Sequence, residues 1–125
     1  MTEAVSSSDS PEVSVVIPVY RSASTLEELC GRLERALDKF ADGWEIIFVE
    51  DASPDDSWQV LERLAERDDR IRAIRLMRNY GQQRAVLSGL ANSRGEFVIT
   101  MDDDGQHRHE EIALLVNALR QTDDE

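Results

Sequence analysis

Short apolar runs alternate with amphipathic segments along the chain, and this alternation restricts the possible folds more than any other feature. Four runs have the length and residue types of buried strands, at residues 13–17, 45–49, 71–76 and 96–101. Each run is followed by a segment in which apolar residues recur at helical spacing. Apolar strands that alternate with helices are typical of a parallel sheet covered on both faces. The sequence therefore predicts an α/β fold with a mostly parallel sheet in the order β-α-β-α-β-α-β-α.

The helical segments allow their starts and inward faces to be predicted. Ser24 is expected to cap the first helix in a capping box with Glu27, and this helix is expected to run to about Lys39. Cys30 lies on this helix and is predicted to be a core residue. The predicted apolar positions are Leu26, Leu29, Leu33, Leu37 and Phe40 in the first helix, Trp58, Leu61, Leu64 and Ala65 in the second, Ala85, Val86, Leu90 and Ala91 in the third, and Ile112, Leu115, Val116 and Leu119 in the fourth.

Composition and charge restrict the class of protein further. A length of 125 residues allows one domain, and 41% hydrophobic with 32% charged residues indicates a globular chain. Acidic residues outnumber basic ones 26 to 14, for a net charge of −12. This excess argues against nucleic-acid binding and against simple electrostatic docking on anionic lipid. The single cysteine excludes an internal disulfide and any multi-cysteine metal site.

The sequence also bears on location and domain limits. Its apolar stretches are far shorter than the ~20 residues that a membrane-spanning helix needs, so no membrane span is predicted. Residues 1–12 are rich in serine and acid and lack the features of a secretory signal. We interpret them as a disordered leader before a domain at residues 13–121, and we expect a cytoplasmic location.

Polar residues are concentrated where the predicted strands end. The first strand ends in Pro18 and Tyr20, the second in the pair Glu50 and Asp51, and the third leads into the polar segment 78–83. Open parallel sheets bind ligands beyond the carboxyl ends of their strands, where the strand order reverses. The sequence therefore predicts a ligand site at this edge of the sheet.

Three consecutive aspartates, Asp102, Asp103 and Asp104, follow the fourth predicted strand. Adjacent carboxylates repel one another unless a cation or hydrogen-bond donors compensate. Hard oxygen ligands suit Mg²⁺ or Mn²⁺, whose coordination is completed by phosphates and water. We therefore interpret this run as a metal-binding and ligand-binding segment, in preference to a solvated acidic turn that only caps the last helix.

Other residues at the strand ends have both binding and structural interpretations. A carboxylate in the Glu50 and Asp51 pair can accept hydrogen bonds from a base or a ribose, but Asp51 can also fold back on the turn that follows it. Tyr20 can stack on a base or pack locally. Arg78 and Arg84 can contact phosphate or form surface ion pairs.

The four strand ends together resemble the family 2 glycosyltransferases of the GT-A fold. The residues that carry the resemblance are 15–20 (VVIPVY), 49–55 (VEDASPD), 78–82 (RNYGQ) and 101–107 (MDDDGQH). The third and fourth segments are most similar to the polyprenyl-phosphate (dolichyl- or undecaprenyl-phosphate) sugar transferases. The resemblance covers about residues 13–119. The chain departs from the family pattern at Gly105, Arg108 and His109, and mildly at Glu50.

The resemblance implies a Rossmann-like GT-A domain that transfers a sugar, with inversion, from a UDP- or GDP-sugar to an acceptor, most simply a polyprenyl phosphate. It implies a catalytic group of Asp102, Asp104 and Gln106. Asp104 would hold Mg²⁺ or Mn²⁺, and Gln106 would lie near the sugar. The residues expected to bind the nucleotide are Pro18, Tyr20, Glu50, Asp51, Asn79, Gln82, Asp102 and Asp103.

The family's domain is longer than this chain, which corresponds to its nucleotide-binding half. An alternative hypothesis is therefore a truncated, catalytically inactive module that binds nucleotide and metal. In a full-length form, C-terminal membrane helices would place the domain at the cytoplasmic face of a membrane. A phosphoacceptor receiver domain is set aside, because its acidic pair follows the first strand, where this chain has Pro18, Val19 and Tyr20.

Overall fold

A parallel sheet lies at the centre of the structure, a computed structural model that describes residues 10–103 and 109–123. Within these ranges the sheet has four strands, β1 (Val13–Val19), β2 (Trp44–Glu50), β3 (Ile71–Arg75) and β4 (Phe97–Thr100). Their order across the sheet is β3-β2-β1-β4, and every pairing is parallel. The predicted α/β fold is confirmed.

Helices pack on both faces of the sheet. The helices of the described ranges are α1 (Leu26–Phe40), α2 (Ser57–Arg67), α3 (Gln82–Asn92) and α4 (His109–Asp123). Residues of α1, α2 and α4 belong to the larger core cluster, and α3 contributes Ala85 to the smaller one. Successive strand residues point to opposite faces, so β1 supplies side chains to both clusters.

The inward faces of α3 and α4 differ from the predicted ones. Leu90 is 38% exposed and Leu115 is 43% exposed, although both were expected to face the core. In α3 the buried residues are Ala85 and Gly89. A Cβ atom added to Gly89 would lie 2.3 Å from Cγ1 of Val16, so α3 approaches the sheet too closely for a large side chain at this point.

The start of α1 also differs from its prediction. The N-cap is Thr25 and makes no side-chain capping hydrogen bond, so the predicted capping box of Ser24 and Glu27 is wrong. The hydroxyl of Thr25 instead donates to the carbonyl oxygen of Ser22, at 3.2 Å. The turn before the helix therefore occupies the hydroxyl of the residue that is the N-cap.

A buried carboxylate closes the amino edge of the sheet. Glu45 is 1% exposed, and its Oε2 accepts hydrogen bonds from the hydroxyl of Ser14 at 2.6 Å and from the N–H of Arg94 at 2.7 Å. Nη1 of Arg72 lies 3.0 Å from Oε1. Burial raises the pKa of Glu45, but these hydrogen bonds lower it by more, so the net pKa lies below its usual value.

The segment before β1 is joined to α4. Nε and Nη2 of Arg120 donate to the two carboxylate oxygens of Glu12, at 2.6 and 2.7 Å. These contacts begin before the predicted domain start at residue 13. Residues 1–9 lie outside the described residues, so the leader and the limits 13–121 stay predictions. In the described ranges, no helix has the length and apolar character needed to cross a membrane.

Candidate functional site

The sheet opens between β1 and β4 at its carboxyl edge. β1 pairs with β4 only through Val16, whereas its pairing with β2 continues to Val19. The carbonyl oxygen of Val16 accepts a hydrogen bond from the N–H of Met101 at 3.0 Å. The next β1 residue on that side is Pro18, which has no N–H to continue the ladder. Because β2 and β3 lie on one side of β1 and β4 on the other, the strand order reverses at this opening.

A cavity of about 330 Å³ occupies this opening. All four strand ends contribute to its lining, which consists of Pro18, Val19, Tyr20, Asp51, Asn79, Gly81, Gln82 and Asp103. A second cavity of about 190 Å³ is lined by Pro18, Gln82, Val86, Thr100, Met101 and Asp102. The structure thus brings together most of the residues that the sequence proposed for nucleotide binding, and their individual roles stay predictions.

The loop after β1 is held by acceptors from distant parts of the chain. Oδ2 of Asp103 accepts hydrogen bonds from the N–H of Tyr20, at 3.0 Å, and from the hydroxyl of Ser22. Oγ of Ser53 accepts a hydrogen bond from the N–H of Arg21 at 2.9 Å. Arg21 has a φ of +56°, a left-handed conformation that few non-glycine residues adopt. These bonds fix the backbone that carries Tyr20 at the wall of the cavity.

The start of α2 completes the support of this loop. Oγ of Ser57 accepts a hydrogen bond from the N–H of Ser22 at 3.0 Å, and Oδ2 of Asp55 accepts one from the N–H of Ala23 at 3.4 Å. Oδ1 of Asp55 accepts from both the N–H and the hydroxyl of Ser57. Burial raises the pKa of Asp55, but these bonds lower it by more, so its carboxylate is ionised at neutral pH.

Asp51 connects the end of β2 to the loop after β3. Its side chain accepts hydrogen bonds from the N–H groups of Tyr80 at 2.8 Å and Gly81 at 2.9 Å. Gly81 has a φ of +96°, which favours glycine, and it is the N-cap of α3. Oδ1 of Asn79 also accepts from the N–H of Gly81, at 3.1 Å. Asp51 therefore shapes the cavity wall, and the predicted contact of its carboxylate with a base stays a prediction.

Glu50 lies outside the cavity lining and has no exposed surface. Its carboxylate accepts hydrogen bonds from the N–H groups of Ala52 at 3.0 Å and Ser53 at 2.5 Å, and it lies 3.5 Å from Nε of Arg75. The fold-back onto the next turn, considered for Asp51, is thus made by Glu50. The contact of Glu50 with a ligand stays a prediction. The burial of its carboxylate does not favour such a contact.

The acidic run lies only partly within the described residues. Asp104 and Gln106, the predicted metal and sugar contacts, fall outside them. Asp102 is exposed, and its Oδ1 accepts a hydrogen bond from Nε2 of Gln82 at 3.1 Å. Asp103 points to the β1 loop instead, so the first two carboxylates take separate partners. In the described part of the chain no three potential ligands form a metal cluster, but these carboxylate oxygens are the donor type that Mg²⁺ and Mn²⁺ prefer.

Sequence reasoning missed two serines in this site. Ser22 and Ser53 hold the β1 loop through their hydroxyl groups, as donor to Asp103 and as acceptor from Arg21. Their position in the turns that follow two predicted strands was the available signal. A serine in a turn is too common for that signal to single them out.

The arrangement of sheet, crevice and strand ends is that of the GT-A fold, and solved structures that share it include a mannosyltransferase. The mannosyltransferase PcManGT from Pyrobaculum calidifontis, in complex with GDP-Man and Mn²⁺, matches with a TM-score of 0.67 and 27% identity, over 76% of this chain and 28% of that chain. TarS 1–349 from S. aureus, in complex with UDP-GlcNAc, matches with a TM-score of 0.69 and 24% identity, over 88% of this chain and 31% of that chain. The predicted GT-A fold is confirmed.

The family follows from the sequence comparisons. The family model "Glycosyl transferase family 2" matches residues 14–125, and the chain belongs to this family. Its curated relatives include the undecaprenyl-phosphate 4-deoxy-4-formamido-L-arabinose transferase of Pseudomonas syringae pv. syringae. The two are 44% identical over 110 residues, which are 87% of this chain and 33% of the relative. The enzyme of the same name from Pseudomonas paraeruginosa is 46% identical over 110 residues, 87% of this chain and 32% of the relative. The chain spans about a third of the length of these relatives, and the predicted likeness to polyprenyl-phosphate sugar transferases is confirmed.

Proposed function

We propose that this chain is the donor-binding part of a glycosyltransferase that moves a sugar from a UDP- or GDP-sugar to a polyprenyl phosphate, with inversion at the anomeric carbon. The observation that carries the proposal is the cavity at the strand-order reversal, which is lined from all four strand ends. Membership of family 2 and the names of the curated relatives support it.

The nucleoside is proposed to occupy the cavity. Its volume of about 330 Å³ lies at the lower end of the range for small-molecule sites. Tyr20 is 41% exposed, and its ring would stack on the base, beside Pro18. The amide side chains of Asn79 and Gln82, both exposed, would supply hydrogen bonds that orient the nucleotide.

The acidic run is proposed to bind the diphosphate end of the donor through Mg²⁺ or Mn²⁺. The donor set fits a hard divalent cation, since it offers carboxylate oxygens beside the cavity. Asp104 would hold the cation, and the exposed Asp102, oriented by Gln82, would face the ribose and the diphosphate. Gln106 would lie near the sugar. When bound, the cation would neutralise charge that develops on the leaving diphosphate.

The protein's main contribution to the reaction would be positioning. The oxygen of a lipid phosphate is already ionised at neutral pH, so the acceptor needs little help from a general base. The backbone contacts that fix Tyr20 and Gly81 would hold the donor in one orientation, and this orientation is what accelerates a displacement between bound reactants.

The acceptor is proposed from the relatives, whose names specify undecaprenyl phosphate. The competing hypothesis is a module that binds nucleotide and metal without catalysis. The naming of the relatives as transferases favours the first hypothesis. The cytoplasmic location, or a position at the cytoplasmic face of a membrane, stays a prediction.

Calorimetric titration of UDP and GDP, with and without Mn²⁺, tests the donor site. We expect the wild-type chain to bind one of them more tightly with Mn²⁺, and Asp104→Asn to lose that difference while its thermal unfolding stays cooperative. Asp69→Asn, an exposed carboxylate at the opposite edge of the sheet, is the matched control and should bind as the wild type does. If neither nucleotide binds in either condition, the proposal is wrong.

A sugar-transfer assay separates the two hypotheses. The full-length protein is given a nucleotide sugar and undecaprenyl phosphate, and the lipid product is measured. Transfer that requires Asp104 supports the transferase. Nucleotide binding without transfer, across a panel of UDP- and GDP-sugars, would instead support the non-catalytic module.

A further inference from the structure

We infer that Asp103 is a positioning residue, which holds the loop after β1 so that Tyr20 is placed to receive the nucleoside. This inference rests on the proposed function and assigns a separate role to the middle carboxylate of the acidic run. Asp102 is bonded to Gln82, whereas Asp103 is bonded to the loop that carries Tyr20.

Three contacts from Asp103 reach this one loop. Its Oδ2 accepts hydrogen bonds from the N–H of Tyr20, at 3.0 Å, and from the hydroxyl of Ser22. Its carbonyl oxygen lies 3.4 Å from the hydroxyl of Thr25. The hydroxyl of Ser22 also lies 3.2 Å from the carbonyl oxygen of Tyr20. The end of β4 is thereby tied to the end of β1 across the crevice.

The β1 loop needs such support because of its backbone conformation. Arg21, between the two residues that bond to Oδ2, has a φ of +56°. Conformations of this kind persist only where surrounding contacts hold them. Removing the carboxylate of Asp103 would take away the acceptor of the Tyr20 N–H, so the loop could relax and the ring of Tyr20 could leave the cavity wall.

The same contacts give Asp103 a role that needs no cation. Its Oδ2 accepts two hydrogen bonds from the loop after β1, and both donors are groups of the protein. Its effect on the donor would therefore operate through Tyr20 and persist when no metal is present. A carboxylate that acts through a cation would matter only in the presence of the metal.

Metal-free titration is the direct test. UDP and GDP are titrated in EDTA into the wild-type chain, Asp103→Ala and Asp103→Asn. We expect Asp103→Ala to weaken the binding of the preferred nucleotide about tenfold, the effect of losing a hydrogen bond to a charged group. Asp103→Asn keeps an acceptor oxygen, so its affinity should be close to that of the wild type. If Asp103 acted through its charge, Asp103→Asn would bind as weakly as Asp103→Ala. Asp69→Ala, at the other edge of the sheet, is the control and should bind normally.

A double-mutant cycle tests the route through Tyr20. Tyr20→Ala and Asp103→Ala are measured singly and together, again in EDTA. If Asp103 acts through the ring, the double variant should bind no more weakly than Tyr20→Ala, whereas independent contacts would give additive losses. Additive losses would overturn the inference. If Asp103→Ala does not fold, Ser22→Ala takes its place in the test. It removes one donor to Oδ2 of Asp103 and should also weaken nucleotide binding.

The outcomes also separate this inference from the proposed function. A wild-type chain that binds neither nucleotide, with or without Mn²⁺, overturns both. A wild-type chain that binds, together with an Asp103→Ala variant of equal metal-free affinity, overturns only the role of Asp103. In the ligand-free chain, amide hydrogen exchange at Tyr20 should be faster in Asp103→Ala than in the wild type, and equal rates would contradict the tether.

Discussion

Replacement of Gly89 by alanine tests how closely α3 lies against the sheet. The added Cβ would be 2.3 Å from Cγ1 of Val16 and 3.2 Å from Cγ2 of Val49. The first distance is far below the optimal separation of about 3.5–4.0 Å between carbon atoms. Either α3 moves away from β1 or the side chain of Val16 leaves its position. Since α3 begins at Gln82, a shift of the helix also disturbs the cavity.

Two opposing effects set the size of the change. Overpacking of a core costs about 1–3 kcal/mol. Alanine in a helix interior is about 1 kcal/mol more favourable than glycine. We therefore expect Gly89→Ala to lower the free energy of unfolding by about 1 kcal/mol, which corresponds to a fall in Tm of about 3–6 °C for a chain of this size.

Gly31→Ala is the matched control for this prediction. A Cβ at Gly31, in α1, would have its nearest contact at 3.5 Å, with the flexible end of Arg35, so only the helical preference should be felt. We expect a gain of about 0.5–1 kcal/mol. Urea unfolding followed by circular dichroism measures both variants, and Val16→Ala should restore part of the loss in Gly89→Ala. Equal stabilisation by the two alanines would refute the close approach of α3.

Two further predictions concern buried ionisable groups. Glu45→Gln should lower the free energy of unfolding by about 2 kcal/mol at neutral pH. The folded-state pKa of Glu45 lies below the usual 4.5, so its ionised carboxylate stabilises the fold above that value and loses this effect as the pH falls through the folded-state pKa. In urea unfolding, the difference in stability between the wild type and Glu45→Gln should therefore shrink in acid. A difference that grows in acid would contradict this. Burial raises the pKa of the Cys30 thiol to about 12. The folded chain should therefore react with DTNB at neutral pH only after denaturant is added. Fast reaction without denaturant would contradict this, because it would show that the thiol is accessible.

The strands were predictable because each is a short apolar run, and the structure shifts their limits by only a few residues. Helix faces were less predictable. Periodicity ranks positions by hydrophobicity and so selected Leu90 in α3. Ala85 is buried as predicted, but the close approach of α3 to Val16 places Gly89 inward instead of Leu90, and this distance has no sequence signal.

The location of the site was predictable, whereas the direction of each carboxylate was not. Polar residues at three of the four strand ends indicated the crevice, and most of the residues proposed there line its cavity. Whether Glu50 or Asp51 folds back depends on the turn between β2 and α2, where Ala52 has a φ of +57°. The turn of Asp103 towards Tyr20 likewise depends on how the ends of β1 and β4 meet.

The central claim is that the crevice at the carboxyl edge of the sheet binds the nucleotide of a sugar donor. Chemical-shift mapping of the ¹⁵N-labelled chain with UDP and GDP, in the presence of Mg²⁺, tests it most directly. We predict that the amides of Tyr20, Asp51, Gly81 and Asp103 shift together in a saturable manner with one of the two nucleotides. Shifts confined to the opposite edge of the sheet, around Glu45, or no saturable shift with either nucleotide, would contradict it.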